Sequence, residues 1–209
     1  RQFRTVREKM FDPETGLYRH GYDASKTAFW AQENGCSLNP WLRSLGWFSA
    51  ALIDVTTEVK DDPEFIAEMT GIARELAKNL LPYIDQESGM LWQVPNQIGR
   101  EGNYPETSGS SMVAYFYLKG ARLGILDASY AEVGAKIFQA ICDRYLTETD
   151  GKLNLGGICL VAGLGPENNR RRDGTYEYYI SEPIVENDAK GLAPFLMCYT
   201  ELLLSQKED

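Results

Sequence analysis

The chain has one histidine, four cysteines and no apolar run approaching the roughly 20 residues needed to cross a bilayer. With His20 as the only imidazole and no cluster of ligand residue types, no metal site and no cofactor is expected. Cys36, Cys142, Cys159 and Cys198 are scattered without CxxC spacing, so they read as four buried thiols rather than a redox motif. Cations are scarce: 21 Lys and Arg stand against 30 Asp and Glu, a net charge of −9 that argues against nucleic acid as a partner. A small acidic ligand remains compatible with that balance, because a distant negative field is screened within about 10 Å. The segment from Arg1 to Phe11 is basic and amphipathic without an apolar h-region, so it does not read as a secretory signal; a cytoplasmic location without a membrane partner is expected.

What is present is an ordinary globular composition, 44% apolar and 24% charged, in 209 residues. That length suits one sizeable core, and residues 1–209 are expected to form a single domain. Helical periodicity dominates. Trp41, Leu45, Phe48, Leu52, Val55 and Val59 keep i+3/i+4 spacing, and Phe65, Met69, Ile72, Leu76 and Leu80 form a second stripe between Pro63 and Pro82. Thr107 to Leu123 is apolar nearly all round, as a helix buried on every side would be. Stripes from Tyr130 to Tyr145 and from Leu192 to Leu203 complete the set.

A motif punctuates these helices. Asp12-Pro13-Glu14-Thr15-Gly16-Leu17-Tyr18 and Asp85-Gln86-Glu87-Ser88-Gly89-Met90-Leu91 share the pattern D-x-E-(T/S)-G plus two apolar residues, and Glu148-Thr149-Asp150-Gly151-Lys152-Leu153 is a looser third copy. Each follows a helical stretch, where glycine takes a left-handed cap, and each precedes a loop longer than ordinary connections. Alternating buried and half-exposed helices with long loops predict an all-α fold of stacked αα-hairpins, in a solenoid or a closed barrel. Loops emerging at one end favour the barrel. About three hairpins are legible where a closed barrel has six, so the chain reads as the C-terminal part of something larger.

The chemistry-bearing residues cluster around those loops. His20 ends a loop, and Trp41, Arg43 and Trp47 lie in the first turns of the following helix. An imidazole, a guanidinium and flat aromatic faces suit a pocket for an acidic sugar: Arg43 offers charge-assisted hydrogen bonds at a helix N-terminus, and Trp47, off the apolar stripe, offers a stacking platform ahead of Trp41. Glu106, Thr107, Ser108, Ser110 and Ser111 open the buried helix. Capping accounts for one or two of them, and the density of hydroxyls suggests further contacts to a glycan. Arg170-Arg171-Arg172 reads as solvated loop charge or the rim of an acidic-sugar site, with Tyr176, Tyr178 and Tyr179 walling its mouth.

Gly16-Leu17-Tyr18-Arg19-His20-Gly21-Tyr22-Asp23, Trp41-Leu42-Arg43-Ser44-Leu45-Gly46-Trp47, Glu106-Thr107-Ser108-Gly109-Ser110-Ser111-Met112 and Asp173-Gly174-Thr175-Tyr176-Glu177-Tyr178-Tyr179 together resemble glycoside hydrolase family 105, the unsaturated rhamnogalacturonyl hydrolases. The unsaturated glucuronyl hydrolases of family 88 are related to it. The motifs run in family order and cover the last half or so of a member.

The resemblance implies part of an (α/α)6 barrel and hydrolysis of unsaturated uronyl oligosaccharides of the galacturonyl-rhamnose type, left by pectin lyases, through hydration of the C4=C5 bond. It implies His20 as an auxiliary catalytic and substrate-binding residue, and Trp41, Arg43, Trp47, Glu106, Thr107, Ser108, Ser110 and Tyr178 at the substrate. It also places the principal catalytic aspartic acid in a motif upstream of Gly16, before the first residue of this chain. A fragment that binds acidic sugars without catalysis and a helical-repeat interaction protein are the alternatives. Half a barrel would bare apolar helix faces, so self-association, a second chain with the missing N-terminal half, or rearranged packing is expected.

Overall fold

A computed structural model describes residues 1–205 of the chain. Its helices are α1 (Gln2–Met10), α2 (Leu42–Glu58), α3 (Pro63–Leu80), α4 (Thr107–Arg122), α5 (Tyr130–Tyr145), α6 (Tyr176–Ile180) and α7 (Ala189–Ser205). Three antiparallel pairs of short strands punctuate them: β1 (Phe11–Asp12) with β2 (Leu17–Tyr18), β3 (Leu146–Thr149) with β4 (Lys152–Leu155), and β5 (Ile158–Cys159) with β6 (Ile184–Val185). The periodicity-derived helices are all present within a few residues of their expected ends. The short α6 and the strand pairs are additions, too brief to leave a periodic signal.

Local chemistry explains the boundaries. Asp62 caps α3 by accepting from the Phe65 N–H at 2.9 Å, Pro63 occupies the first turn where no N–H is needed, and Lys78 sits in the last turn. The repeated motif is a repeated turn: the Gly16 N–H donates to Asp12 O and the Gly89 N–H to Asp85 O, both at 2.8 Å. Gly16, Gly89 and Gly151 have φ of +71°, +68° and +71°, a left-handed conformation that glycine adopts without strain. In each repeat the turn redirects the chain from a half-exposed helix into a long loop, which delivers it to a more buried one.

Helix α4 lies at the centre, against α2, α5 and α7, and nearly every side chain from Thr107 to Leu118 is buried. Helices α1 and α3 are joined outside α2 by Arg4–Glu68 and Arg7–Glu75 ion pairs at 2.6 and 2.8 Å. Arg122 of α4 reaches Glu201 of α7 at 2.7 Å. On two of the helices packed against α4, Trp47 and Val55 of α2 and Leu196, Tyr199 and Leu203 of α7 are exposed. No helix among the described residues is long and apolar enough to cross a membrane.

Close helix contact depends on small residues. A Cβ on Gly109 of α4 would collide with the Leu42 side chain and lie 2.9 Å from its backbone carbon, whereas a Cβ on Gly71 of α3 meets nothing within 4 Å. Opposite signs follow. Gly109→Ala should lower unfolding stability by about 1–3 kcal/mol through overpacking, and Gly71→Ala should raise it by up to about 1 kcal/mol through helix propensity; urea denaturation of the two variants measures both.

Candidate functional site

The long loops 19–41, 84–106 and 156–175 meet where α2 and α4 begin. A second apolar cluster forms there from Trp41, Val94, Cys159, Ala162, Tyr176, Tyr178 and Tyr179, drawn from loops and α6 rather than from the helical core. Backbone bonds tie the loops to the helix starts: the Leu42 N–H donates to Gln93 O at 3.1 Å and the Thr107 N–H to Gly157 O at 2.9 Å. These bonds satisfy N–H groups that a helix start leaves without partners.

His20 sits in this cluster beside two aromatic rings, with centroids 4.7 Å from Trp41 and 5.7 Å from Tyr179. Its Nδ1 is 2.6 Å from the Tyr179 hydroxyl. Burial pushes the His20 pKa down to about 4 and the Tyr179 phenol well above its ordinary value, so both groups are neutral at pH 7. The direction of this bond follows the His20 tautomer, and in either case Nε2 lies outside it. The backbone holds the ring as well: the His20 N–H donates to Asn39 O at 3.2 Å, and Asn39 Nδ2 donates to Gly174 O at 3.0 Å. A cavity of about 170 Å³ opens beside His20, bounded by Met10, Tyr18, Ser44, Leu45 and Phe48 among others.

Gln93 is the joint behind the rings. Fully buried, it accepts from Trp41 Nε1 at 3.1 Å and donates to Tyr179 O at 3.2 Å and Cys159 Sγ at 3.1 Å. Burial lifts the Cys159 thiol to about 11, so it stays protonated. Sequence inspection passes over Gln93, because its partners lie 52, 66 and 86 residues away and no local pattern marks it. Tyr179 carried a faint signal, as one of three tyrosines expected at the mouth.

Two of the expected groups are buried and bonded within the protein. Arg43 is buried, and its guanidinium is committed to protein: Nε donates to Ser108 Oγ at 2.6 Å, Nη2 donates to Cys159 O, and Nη2 lies 3.6 Å from Glu106 Oε1. The hydroxyl cluster is likewise a buried joint. Glu106 accepts from the N–H groups of Ser108, Gly109 and Cys159 at 3.1, 2.7 and 3.0 Å. Thr107 Oγ1 donates to Gly156 O at 2.7 Å, and Ser110 Oγ donates to Leu91 O at 3.1 Å while accepting the Leu91 N–H at 3.0 Å. Glu106, Thr107, Ser108 and Ser110 have no exposed surface. A hydroxyl-rich helix start looks the same in sequence whether it faces a glycan or fastens neighbouring loops.

The remaining residues divide by exposure. Trp41 is buried behind His20, with the Arg43 guanidinium 5.3 Å from its ring centroid. Trp47 is 54% exposed on α2 and lies one turn along from Ser44, which lines the His20 cavity. Tyr178 is buried and accepts the Gly163 N–H at 2.8 Å. Cys36, Cys142, Cys159 and Cys198 are all free thiols, and no group of three side chains suited to a metal occurs among the described residues.

Two measurements test this network. Arg43→Ala leaves the Glu106 carboxylate buried beside no cation and should cost about 3–5 kcal/mol in urea unfolding. His20 has a lower pKa folded than unfolded, so its contribution is complete above about pH 6.5 and is lost as pH falls from there towards 4. His20→Gln should therefore flatten the stability decline across that window in a pH series of denaturation curves. An unchanged slope would contradict the buried neutral ring.

The comparisons agree with this architecture. The 24.9 kDa protein in the picA locus of Rhizobium radiobacter is 40% identical over 198 residues, covering 90% of this chain and 83% of that protein. A family 105 glycoside hydrolase from C. acetobutylicum ATCC 824 superposes with a TM-score of 0.92 at 40% identity, over 96% of this chain and 56% of that one. An unsaturated glucuronyl hydrolase from Bacillus sp. GL1 shares the fold alone, at 13% identity and a TM-score of 0.65 over 96% of this chain and 50% of that one. The chain thus spans about half the length of these solved structures. The family model of Glycosyl Hydrolase Family 88 matches residues 1–206, and the chain belongs to that family.

Proposed function

We propose that this chain is the sugar-binding portion of a hydrolase acting on unsaturated uronyl oligosaccharides of the galacturonyl-rhamnose type. The observation that carries the reading is the His20 site: a neutral imidazole whose Nε2 is free of the Tyr179 bond, set beside a cavity in a family 88 fold. His20 Nε2 donates to a sugar oxygen, and the exposed Trp47 ring offers its face to the pyranose. Trp41, Tyr178, Tyr179 and Gln93 hold the imidazole in place, and Arg43 with Glu106 holds the helix starts behind it.

The reaction is hydration of the C4=C5 bond. A proton adds at C4, water adds at C5, and the resulting hemiketal opens to release the attached sugar. This needs one carboxyl group that acts as acid and then base. The residues around the His20 cavity (Val6, Met10, Tyr18, Arg19, Ser44, Leu45 and Phe48) include no carboxylate. A partner that supplies a carboxyl group to this cavity and covers the exposed apolar stripes of α2 and α7 completes the reading. Four free thiols fit a reducing, cytoplasmic location.

The same absence of a carboxylate favours a second reading, in which the chain binds acidic sugars without turning them over. One experiment separates the two. The chain is titrated with unsaturated galacturonyl-rhamnose in a calorimeter while ultraviolet absorbance of the double bond is followed, with and without the N-terminal half of a family 105 barrel. Binding by the chain alone, weakened at least about tenfold in His20→Ala, is expected for both readings. Loss of absorbance only with the added half supports hydrolysis, and persistent absorbance supports the binding-only reading. Absence of binding, or unchanged affinity in His20→Ala, overturns both.

A further inference from the structure

The chain repeats one unit three times. Helices α1, α3 and α5 each run into a turn at a left-handed glycine (Gly16, Gly89 and Gly151), and a long loop then leads into α2, α4 and α7. These last three helices start at the same end. Loop backbone meets the first N–H groups of α2 and α4, and β6, just ahead of α7, pairs with β5, where the Cys159 N–H donates to Glu106 at the start of α4. They therefore run in one direction, with α4 touching both α2 and α7. Two helix faces are left over. On α2, Ala51 and Val55 are exposed and share a face with Ser44 and Phe48. On α7, Ala189, Ala193, Leu196, Thr200 and Leu203 form an exposed face without a charged side chain. Both charges of α7 are used internally: Lys190 pairs with Asp188 and Glu201 with Arg122, each at 2.7 Å.

We propose that a second copy of this chain covers both faces, with α2 of each copy packed along α7 of the other about a twofold axis parallel to these helices. The repeat count supports this occupant. Three units per copy make six per pair, the number in the (α/α)6 barrel of the solved relatives, and the chain spans 56% and 50% of two of those structures. A twofold rotation preserves helix direction, so the ring closes with every loop at one end. The two faces also match in chemistry, because neither the Ala51–Val55 stretch nor the α7 stripe brings a charge that contact would strip of water. The His20 cavity lies on the edge so covered: Ser44 and Phe48 of the α2 face line it together with Val6 and Met10 of α1, a helix with no buried residue of its own. Helix α7 of the second copy supplies the wall facing them. Glu186 and Asp188, just ahead of α7, then bring carboxylates to the loop end of that wall. The assembly stands on the helix faces alone and does not depend on which sugar His20 meets.

Val55 and Leu203 both lie about four turns past the starts of their helices, which puts them level across the proposed contact and makes them the test pair. In sedimentation equilibrium the chain should run at twice its single-chain mass. Val55→Lys and Leu203→Glu should each raise the dimer dissociation constant at least about tenfold, because either one puts an unpaired charge into both contacts. Mixing the two variants should restore dimers: one contact of the mixed pair then joins Lys to Glu, and the other is that of the parent chain. Both side chains are exposed, circular dichroism reports that each variant is folded, and recovery on mixing shows it independently. A monomeric parent chain overturns the proposal, and if that monomer captures the N-terminal half of a family 105 barrel, the faces belong to that half. A dimer that Leu203→Glu breaks and Val55→Lys does not, without recovery on mixing, means α7 meets α7 and overturns it too. So does a dimer that neither substitution weakens.

Discussion

The loop end of this fold hangs on one buried carboxylate. Glu106 has no exposed surface, and three N–H groups, a hydroxyl and the Arg43 guanidinium surround its carboxyl oxygens. Those partners come from α2, α4 and β5. One charge thereby registers two helices and the strand that leads into the tyrosine-bearing loop. A neutral core could pack the same elements, but it would leave their relative rotation to side-chain shape alone.

Everything that presents His20 is built outward from that joint. Arg43 fixes the start of α2, which carries Trp41 at its N-terminal boundary. The Cys159 backbone, bonded to both Glu106 and Arg43, brings its thiol to Gln93, and Gln93 orients Trp41 and Tyr179. Tyr179 in turn holds the His20 ring through Nδ1. The chain of contacts passes from a charge with no access to solvent to an imidazole at the edge of a cavity. Rigidity is the useful product, because an N–H held in one direction loses little entropy when a sugar arrives.

The comparison of sequence with structure is most instructive at Arg43 and the Glu106–Ser111 segment. Both are charged or hydroxyl-rich at a helix N-terminus, and the sequence pattern suggested sugar contacts. The structure turns them inward, where they fasten helices. Spacing reports which residues share a helix face, but not whether that face meets solvent or another buried polar group. Gln93 shows the converse: its chemistry is unremarkable in sequence, and its importance comes wholly from partners more than fifty residues away.

The sequence by itself determined the helices, their alternation of burial and the repeated turns. Each depends on interactions within a few residues: i+3/i+4 apolar spacing, the Asp62 cap, and glycine at +φ in the Asp-to-Gly turns. The family motifs were legible for the same reason, as short strings of neighbouring residues. Only the tertiary structure decided which polar side chains are buried supports and which stand at the site. That choice is made by desolvation and long-range hydrogen bonding, which depend on what the fold places around a group and leave no mark in its local sequence.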